Sequence, residues 1–329
     1  MRNQIYYTFL AGWCADAAGA RLEFRKKRYS EEEAIHAMHF VGEKSNGIHE
    51  GQFTDDSEME ICLLQGLING KGEEEFPVEK IAKEYIKWFN SRPFDIGNTT
   101  TMALFDAKNA DDMVNNAYQY NEGSESNGSL MRCIPIAAFC VYKPVKTIID
   151  VASVDASLTH YSEVVHLITG IYCCIISKIL SQRLQFPDKN INIEKLIELI
   201  KDIIANSELS NTTAIQWVFD ALKMTDLSAY DAISNEGHVK HAFIFFIYFL
   251  KNINHFTYEK AIIEVLKCGG DTDTNAKIVG NLFGAYYGDC VPNYMSEPVL
   301  NFDCTKAEGV YKRPKKYGIK NAIKLVGEI

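Results

Sequence analysis

The chain has 329 residues, 47% apolar and 23% charged, a composition that excludes disordered and fibrous classes and fits an ordinary globular protein. A net charge of −9 argues against wrapping nucleic acid, which needs a basic face. The length allows about two domains, but a core of ~250–300 residues also forms as one.

Helical periodicity dominates from early in the chain. Asp16 falls within an N-terminal helix, where a buried structural partner is the expected role. Further helices are expected over Glu58–Ile68, Val78–Phe89, Leu130–Val141, Ile148–Leu158, Val164–Leu180, Ile193–Ile204, Thr212–Leu222, Val239–Lys251 and Tyr258–Leu266. In Val78–Phe89 the spacing puts Ile81, Tyr85, Trp88 and Phe89 on one face. Breaks fall at Lys44–Gly51, Asn69–Glu75, Asn90–Thr101, Gly123–Ser129, Pro187–Asn192 and Cys268–Thr274. No alternating run with hairpin signals is present, so the expected class is all-α. Composition does not shift between the halves, and a single domain over 1–329 is expected. Val164–Leu180 and His241–Leu250 are interrupted by polar residues or too short for a membrane span, and both read as buried helices.

The nine cysteines include no CxxC pair, and no secretory signal opens the chain, so reduced thiols in a cytoplasmic, reducing compartment are expected. The basic run Lys312-Arg313-Pro314-Lys315-Lys316 reads as a solvated tail rather than a nucleic-acid patch.

Two acidic clusters carry the functional information. Thr54-Asp55-Asp56 opens the pattern Met59, Cys62, Leu63, Leu67, and Asp271-Thr272-Asp273-Thr274 follows Gly269-Gly270 just before a helical run near Asn275. Carboxylates crowded in this way repel unless a cation neutralises them, and oxygen-only ligands favour Mg²⁺ or Mn²⁺ over zinc. If both clusters face one cavity, they describe a two-metal site. The plainer reading of the second cluster is helix capping by Thr272 or Thr274, which accounts for one acid well and for two acids plus two threonines poorly. After it, Gly280, Gly284 and Gly288 recur every four residues beside Ala276. Mid-helix glycines cost about 0.5–1 kcal/mol each, so close approach of a neighbouring helix is expected in return.

These blocks resemble the ADP-ribosylglycohydrolases. GQFTDDSEM and GGDTDTNAKIVGNLFGAYYG resemble that family's early Thr-Asp-Asp and late Gly-Gly-Asp-Thr-Asp-Thr patterns. AGWCADAAGARLEF, FDIGNTT, NGSLMRCIPIA and SLTHYSEVV resemble further family blocks, and the matches run in family order from Gly12 to about Gly288. The resemblance implies an all-α, single-domain orthogonal multi-helix bundle with a dinuclear Mg²⁺ cleft. It implies Thr54, Asp55, Asp56, Asp271, Asp273 and Thr274 as ligands to two Mg²⁺ (Mn²⁺ as alternative). Glu23 matches a glutamate that in some members lies at the metal site or in a mobile loop over it; an exposed helix-end acid is the equal alternative. Asp55, Asp56, Asp271, Asp273 and Glu23 are thus the expected catalytic acids.

Asn127, Gly128, Ser129, Leu130, Met131 and Arg132 match the segment that holds the diphosphate and ribose. His160 is implied in substrate contact or site support, and Asp95 is either an N-cap before Gly97 or an acid near the site. Where the family often has Gly-Tyr-Val, with the tyrosine available to stack on adenine, this chain reads Gly237-His238-Val239. The implied activity is hydrolysis of an ADP-ribosyl bond on a protein or small-molecule acceptor by a monomer, with nucleic acid expected only as a modified substrate. A non-catalytic ADP-ribose-binding module and a metal-dependent phosphodiesterase acting on the pyrophosphate are the alternatives.

Overall fold

The computed structural model describes residues 2–41, 48–207 and 212–329; residues 44–47 of the expected Lys44–Gly51 break lie outside them. The described residues form sixteen α-helices and no strand, so the all-α expectation holds. In chain order these are α1 (Arg2–Gly19), α2 (Glu31–Met38), α3 (Asp55–Asn69), α4 (Val78–Asn90), α5 (Asn98–Leu104) and α6 (Ala110–Tyr120). Then come α7 (Ile134–Phe139), α8 (Val145–Ser157), α9 (Glu163–Gln185), α10 (Ile193–Ala205) and α11 (Thr212–Lys223). The last are α12 (Val239–Lys251), α13 (Tyr258–Cys268), α14 (Thr272–Tyr287), α15 (Asn293–Asn301) and α16 (Ile319–Val326).

Differences from the sequence reading have local causes. Helix α7 starts only at Ile134, because Pro135 sits in its first turn and the preceding residues form tight turns instead. Helix α2 carries a signal that hydrophobic spacing does not detect: Ser30 accepts the Glu33 N–H while the Glu33 carboxylate accepts the Ser30 N–H, a complete capping box. Helix α9, expected to be a buried helix rather than a membrane span, has 23 residues and is long and apolar enough by composition to cross a membrane, and 78% of its most apolar stretch is buried within the protein. It is a core helix.

The chain divides into two compact units, one from Met1–Thr54 with Lys178–Phe302, the other from Asp55–Ser177 with Asp303–Ile329. In the first unit, α14 lies along α1, with α12 and α13 also packed on it. The contact of α1 with α14 is a glycine seam. A Cβ at Gly280 would lie 2.6 Å from the Ala11 carbonyl oxygen, one at Gly284 2.4 Å from that of Tyr7, and one at Gly19 2.4 Å from the Asp273 Cα. The expected stripe therefore packs as proposed, except that Gly288 is not interior: it ends α14 at φ 77°. Gly284→Ala gains helix propensity of about 1 kcal/mol but meets backbone rather than a flexible side chain. The clash outweighs that gain, and a net loss of about 1–3 kcal/mol is expected in a thermal melt; an unchanged or higher Tm would contradict the seam.

In the second unit α3 packs on α4, α7 and α16, and α5 on α6. The basic run near the C-terminus is not simply solvated. Arg313 is buried, its Nε donates to both Glu58 oxygens at 2.9 Å, and Trp88 Nε1 donates to Glu58 Oε2 at 2.7 Å. The lysines around it, Lys312, Lys315 and Lys316, are exposed as expected.

Candidate metal centre and ligand-binding cluster

Two glycines set the geometry before α14. Gly269 and Gly270 have φ 73° and 77°, and a Cβ on either would lie within 2.1 Å or 2.0 Å of a facing carbonyl oxygen, that of Lys27 or Ala232. Only glycine combines that backbone with that approach. The turn delivers Asp271 as the N-cap of α14, its Oδ1 accepting the Thr274 N–H at 3.3 Å, while Asp273 Oδ1 accepts the same N–H at 2.9 Å. The alternative reading of a threonine cap does not hold: Asp271 is the cap, and Thr272 donates its hydroxyl to the Gly19 carbonyl at 2.7 Å, bolting α14 to the end of α1.

The segment after α1 is tied to the same turn. The Phe24 N–H donates to the Gly270 carbonyl and the Tyr29 N–H to that of Lys267, each at 3.0 Å. Phe24 and Lys26 take left-handed backbone, φ 53° and 51°, which a non-glycine residue adopts only when its surroundings hold it there. Glu23 is thereby held so that it, Asp271 and Asp273 each bring a carboxylate oxygen to within 4.8 Å of the others. Both aspartates are buried and Glu23 is half-buried.

Two unit charges at that separation repel by roughly 3 kcal/mol even at an effective dielectric constant of ~20. Two buried carboxylates and a half-buried third therefore fit a bound cation, and an all-oxygen donor set fits a hard divalent ion. Thr54 is anchored separately: its N–H and its hydroxyl donate to Asp16 Oδ1 at 3.0 and 2.9 Å. Asp16 is fully buried on α1 and so acts as the structural partner expected of it. Asp55 and Asp56 follow in the first turn of α3, both buried, at the helix end that favours negative charge.

Gly237 lies beside the acid trio: a Cβ there would be 3.8 Å from Asp271 Oδ2. His238 caps α12, its Nδ1 accepting the Lys240 N–H at 3.1 Å, and its ring meets Trp217 edge-on at 5.8 Å.

The Asn-Gly-Ser-Leu-Met-Arg block and His160 form a second cluster, within the other unit. Asn127, Ser129, Leu130, Met131, Arg132 and His160 are all buried. Ser129 Oγ pairs with Thr169 Oγ1 at 3.0 Å, and a Cβ at Gly128 would come within 3.3 Å of His160 Cε1. Arg132, expected among the ligand-binding residues, turns inward instead. Its Nε reaches Asp155 Oδ2 at 3.1 Å, its Nη2 donates to the Asp155 carbonyl at 2.8 Å, and its Nη1 donates to Thr159 Oγ1 at 2.9 Å. The guanidinium also stacks over Tyr85 at 4.6 Å, and Tyr85 donates its hydroxyl to Asp155 Oδ1 at 2.7 Å. Asp155 was not legible as a site residue; its one signal is a charge inside the otherwise apolar turn of VASVDASL. Asp95 is half-buried and does not cap α5, whose N-cap is Gly97 with no side-chain bond, so that half of the expectation is corrected.

His160 is held well below the usual histidine range by burial, helped by Arg132 and His166 nearby; burial also lowers His166 and His241. These groups are neutral in the fold, whereas the unfolded chain takes up their protons near pH 6.5. Their contribution to stability is complete above about pH 6.5 and is lost as pH falls below it. Melts between about pH 5 and 8 should show Tm falling on the acid side, with a shallower fall in His160→Gln. A Tm independent of pH across that window would contradict the buried neutral histidines.

Comparison with known proteins matches residues 1–317 to the family model described as ADP-ribosylglycohydrolase. An Acanthamoeba polyphaga mimivirus protein that carries the name ADP-ribosyl glycohydrolase is 31% identical over 311 residues, covering 90% of this chain and 91% of its own. ADP-ribosyl-[dinitrogen reductase] glycohydrolase of Rhodospirillum rubrum is 26% identical over 290 residues, covering 87% and 86%. A solved structure titled ADP-ribosylglycohydrolase-related protein complex superposes with a TM-score of 0.66 at 19% identity, covering 99% of this chain and 96% of that one, and so shares the fold.

Proposed function

The chain belongs to the ADP-ribosylglycohydrolase family, and from that premise we propose that it hydrolyses the glycosidic bond joining ADP-ribose to an acceptor, with two Mg²⁺ ions, or Mn²⁺, as cofactors. The observation that carries the reading is the acid trio of buried Asp271 and Asp273 with half-buried Glu23. The ligand set is Thr54, Asp55, Asp56, Asp271, Asp273 and Thr274. Ions so held would supply Lewis acidity to orient sugar hydroxyls and acidify water.

The protein's own contribution is rigidity and charge. The glycine seam and the Asp271 cap fix the second cluster, and Asp16 fixes Thr54. Carboxylates arranged this way stabilise the positive charge that develops on the sugar as the glycosidic bond breaks. Glu23, the least buried of the trio, is the acid with room to meet a water or leaving group. Asn127, Gly128, Ser129, Leu130, Met131, His160, Asp95, Gly237 and His238 are the proposed substrate-binding set, with Arg132 as a positioning residue behind it. The match over residues 1–317 supports reading the whole chain as one such domain; that it acts as a monomer is part of the proposal. All nine cysteines are free thiols, which supports a reducing, cytoplasmic location.

The name of the Rhodospirillum relative gives its acceptor as dinitrogen reductase, which supports a protein acceptor here. The test is turnover with Mg²⁺ on a panel of arginine-, serine-, nucleic-acid- and small-molecule-linked ADP-ribose. Free ADP-ribose is the expected product, and the linkage cleaved names the acceptor. AMP with ribose phosphate would make the protein a phosphodiesterase, and binding without turnover on every linkage would make it a module.

A further inference from the structure

Hydrogen-bond direction in the second cluster assigns a role to a residue outside the recognised block, Ser126. An arginine only donates. Arg132 Nη1 donates to Thr159 Oγ1 at 2.9 Å, and Thr159 Oγ1 also lies 2.8 Å from His160 Nδ1. Thr159 is fully buried, and its hydroxyl proton has one acceptor in reach, His160 Nδ1. The neutral ring therefore carries its own proton on Nε2, and that N–H donates to Ser126 Oγ at 2.9 Å. With its oxygen already accepting, Ser126 has its hydroxyl proton left to give, and it is half-buried where the other three residues are fully buried.

We propose that Ser126 is a substrate-contacting donor, set by the relay Arg132–Thr159–His160, and that it donates to a phosphate oxygen of the ADP-ribosyl group. Every bond in the relay runs the same way, from the guanidinium outward. Aligned donors polarise one another, so the buried cation strengthens the last hydroxyl as a donor and the position favours an anionic acceptor over a neutral one. No proton is transferred and no bond changes; the relay orients. This inference rests on the ADP-ribose reading of the site and adds to it the means by which Arg132, without touching ligand, acts on it. Because the relay lies within one unit, its four side chains are placed by the same packing that buries Arg132 against Asp155 and Tyr85.

The test uses the full-length protein with two probes, ADP-ribose and adenosine, in binding calorimetry. Ser126→Ala should weaken ADP-ribose about ten- to a hundredfold, the usual loss for a hydrogen bond to a charged group. Adenosine, which lacks phosphate, should bind unchanged, and Ser126→Thr should restore ADP-ribose affinity. Independently, ¹⁵N NMR of the wild-type protein should find His160 protonated on Nε2 alone. Equal ADP-ribose affinity in Ser126→Ala, an equal loss for both probes, or a proton on Nδ1 would each overturn the proposal while leaving the glycohydrolase reading intact. A wild-type protein that binds no ADP-ribose would overturn both.

Discussion

Replacing Asp271 and Asp273 together by asparagine should cut release of ADP-ribose by roughly three orders of magnitude while leaving the fold at least as stable in chelator. The two effects have opposite signs for one reason. In the absence of a cation the three carboxylates within 4.8 Å repel one another, and the double substitution removes two of those charges. Asparagine at 271 still caps α14 by accepting the Thr274 N–H, so the local structure survives. With Mg²⁺ present the order reverses. A ligand bound only by the folded state adds about 2.7 kcal/mol at a hundred times its dissociation constant, a gain open to the parent and closed to the variant. Thermal melts with and without Mg²⁺, alongside turnover, read both halves. A variant that keeps its activity, or still gains Tm with Mg²⁺, would remove these aspartates from the metal centre.

Arg132→Met should lower stability by about 3–5 kcal/mol. Its side chain and that of Asp155 are both 0% exposed, so removing the cation strands a carboxylate in the interior. The loss is due to that stranded charge more than to any favourable worth of the pair. Asp155→Asn in the same chain keeps an acceptor for the Tyr85 hydroxyl without the charge, and the double variant should recover most of the stability. Denaturant melts of the two single variants and the double form a cycle that isolates this coupling. Additive losses, or an Arg132→Met protein as stable as its parent, would contradict the buried pair.

The contrast between these experiments follows what each pattern in the chain can express. Spacing alone marks α4 and α10, because an apolar face repeating every three or four residues has few other uses. Capping chemistry marks α2, yet its eight residues present too few repeats for periodicity to register. Glycines at 280 and 284 announce a close neighbour but not which one; α1 is recognisable as the partner only when the Tyr7 and Ala11 carbonyls are seen against them.

The same division runs through the candidate site. The order of the acidic and Asn-Gly-Ser-Leu-Met-Arg blocks was sufficient to place the chain among the glycohydrolases and to nominate its acids, because ligand chemistry constrains residue type and short-range spacing. Tertiary structure decided what those side chains face. It turned Arg132 inward onto Asp155, made Asp271 rather than a threonine the cap of α14, and drew Arg313 out of a basic run into a buried pair with Glu58. It also linked Ser126 to a guanidinium through Thr159 and His160. A sequence states which groups exist and in what order. The direction of a charge or a hydrogen bond is settled only by the desolvation of its surroundings, and those surroundings come from residues far away along the chain.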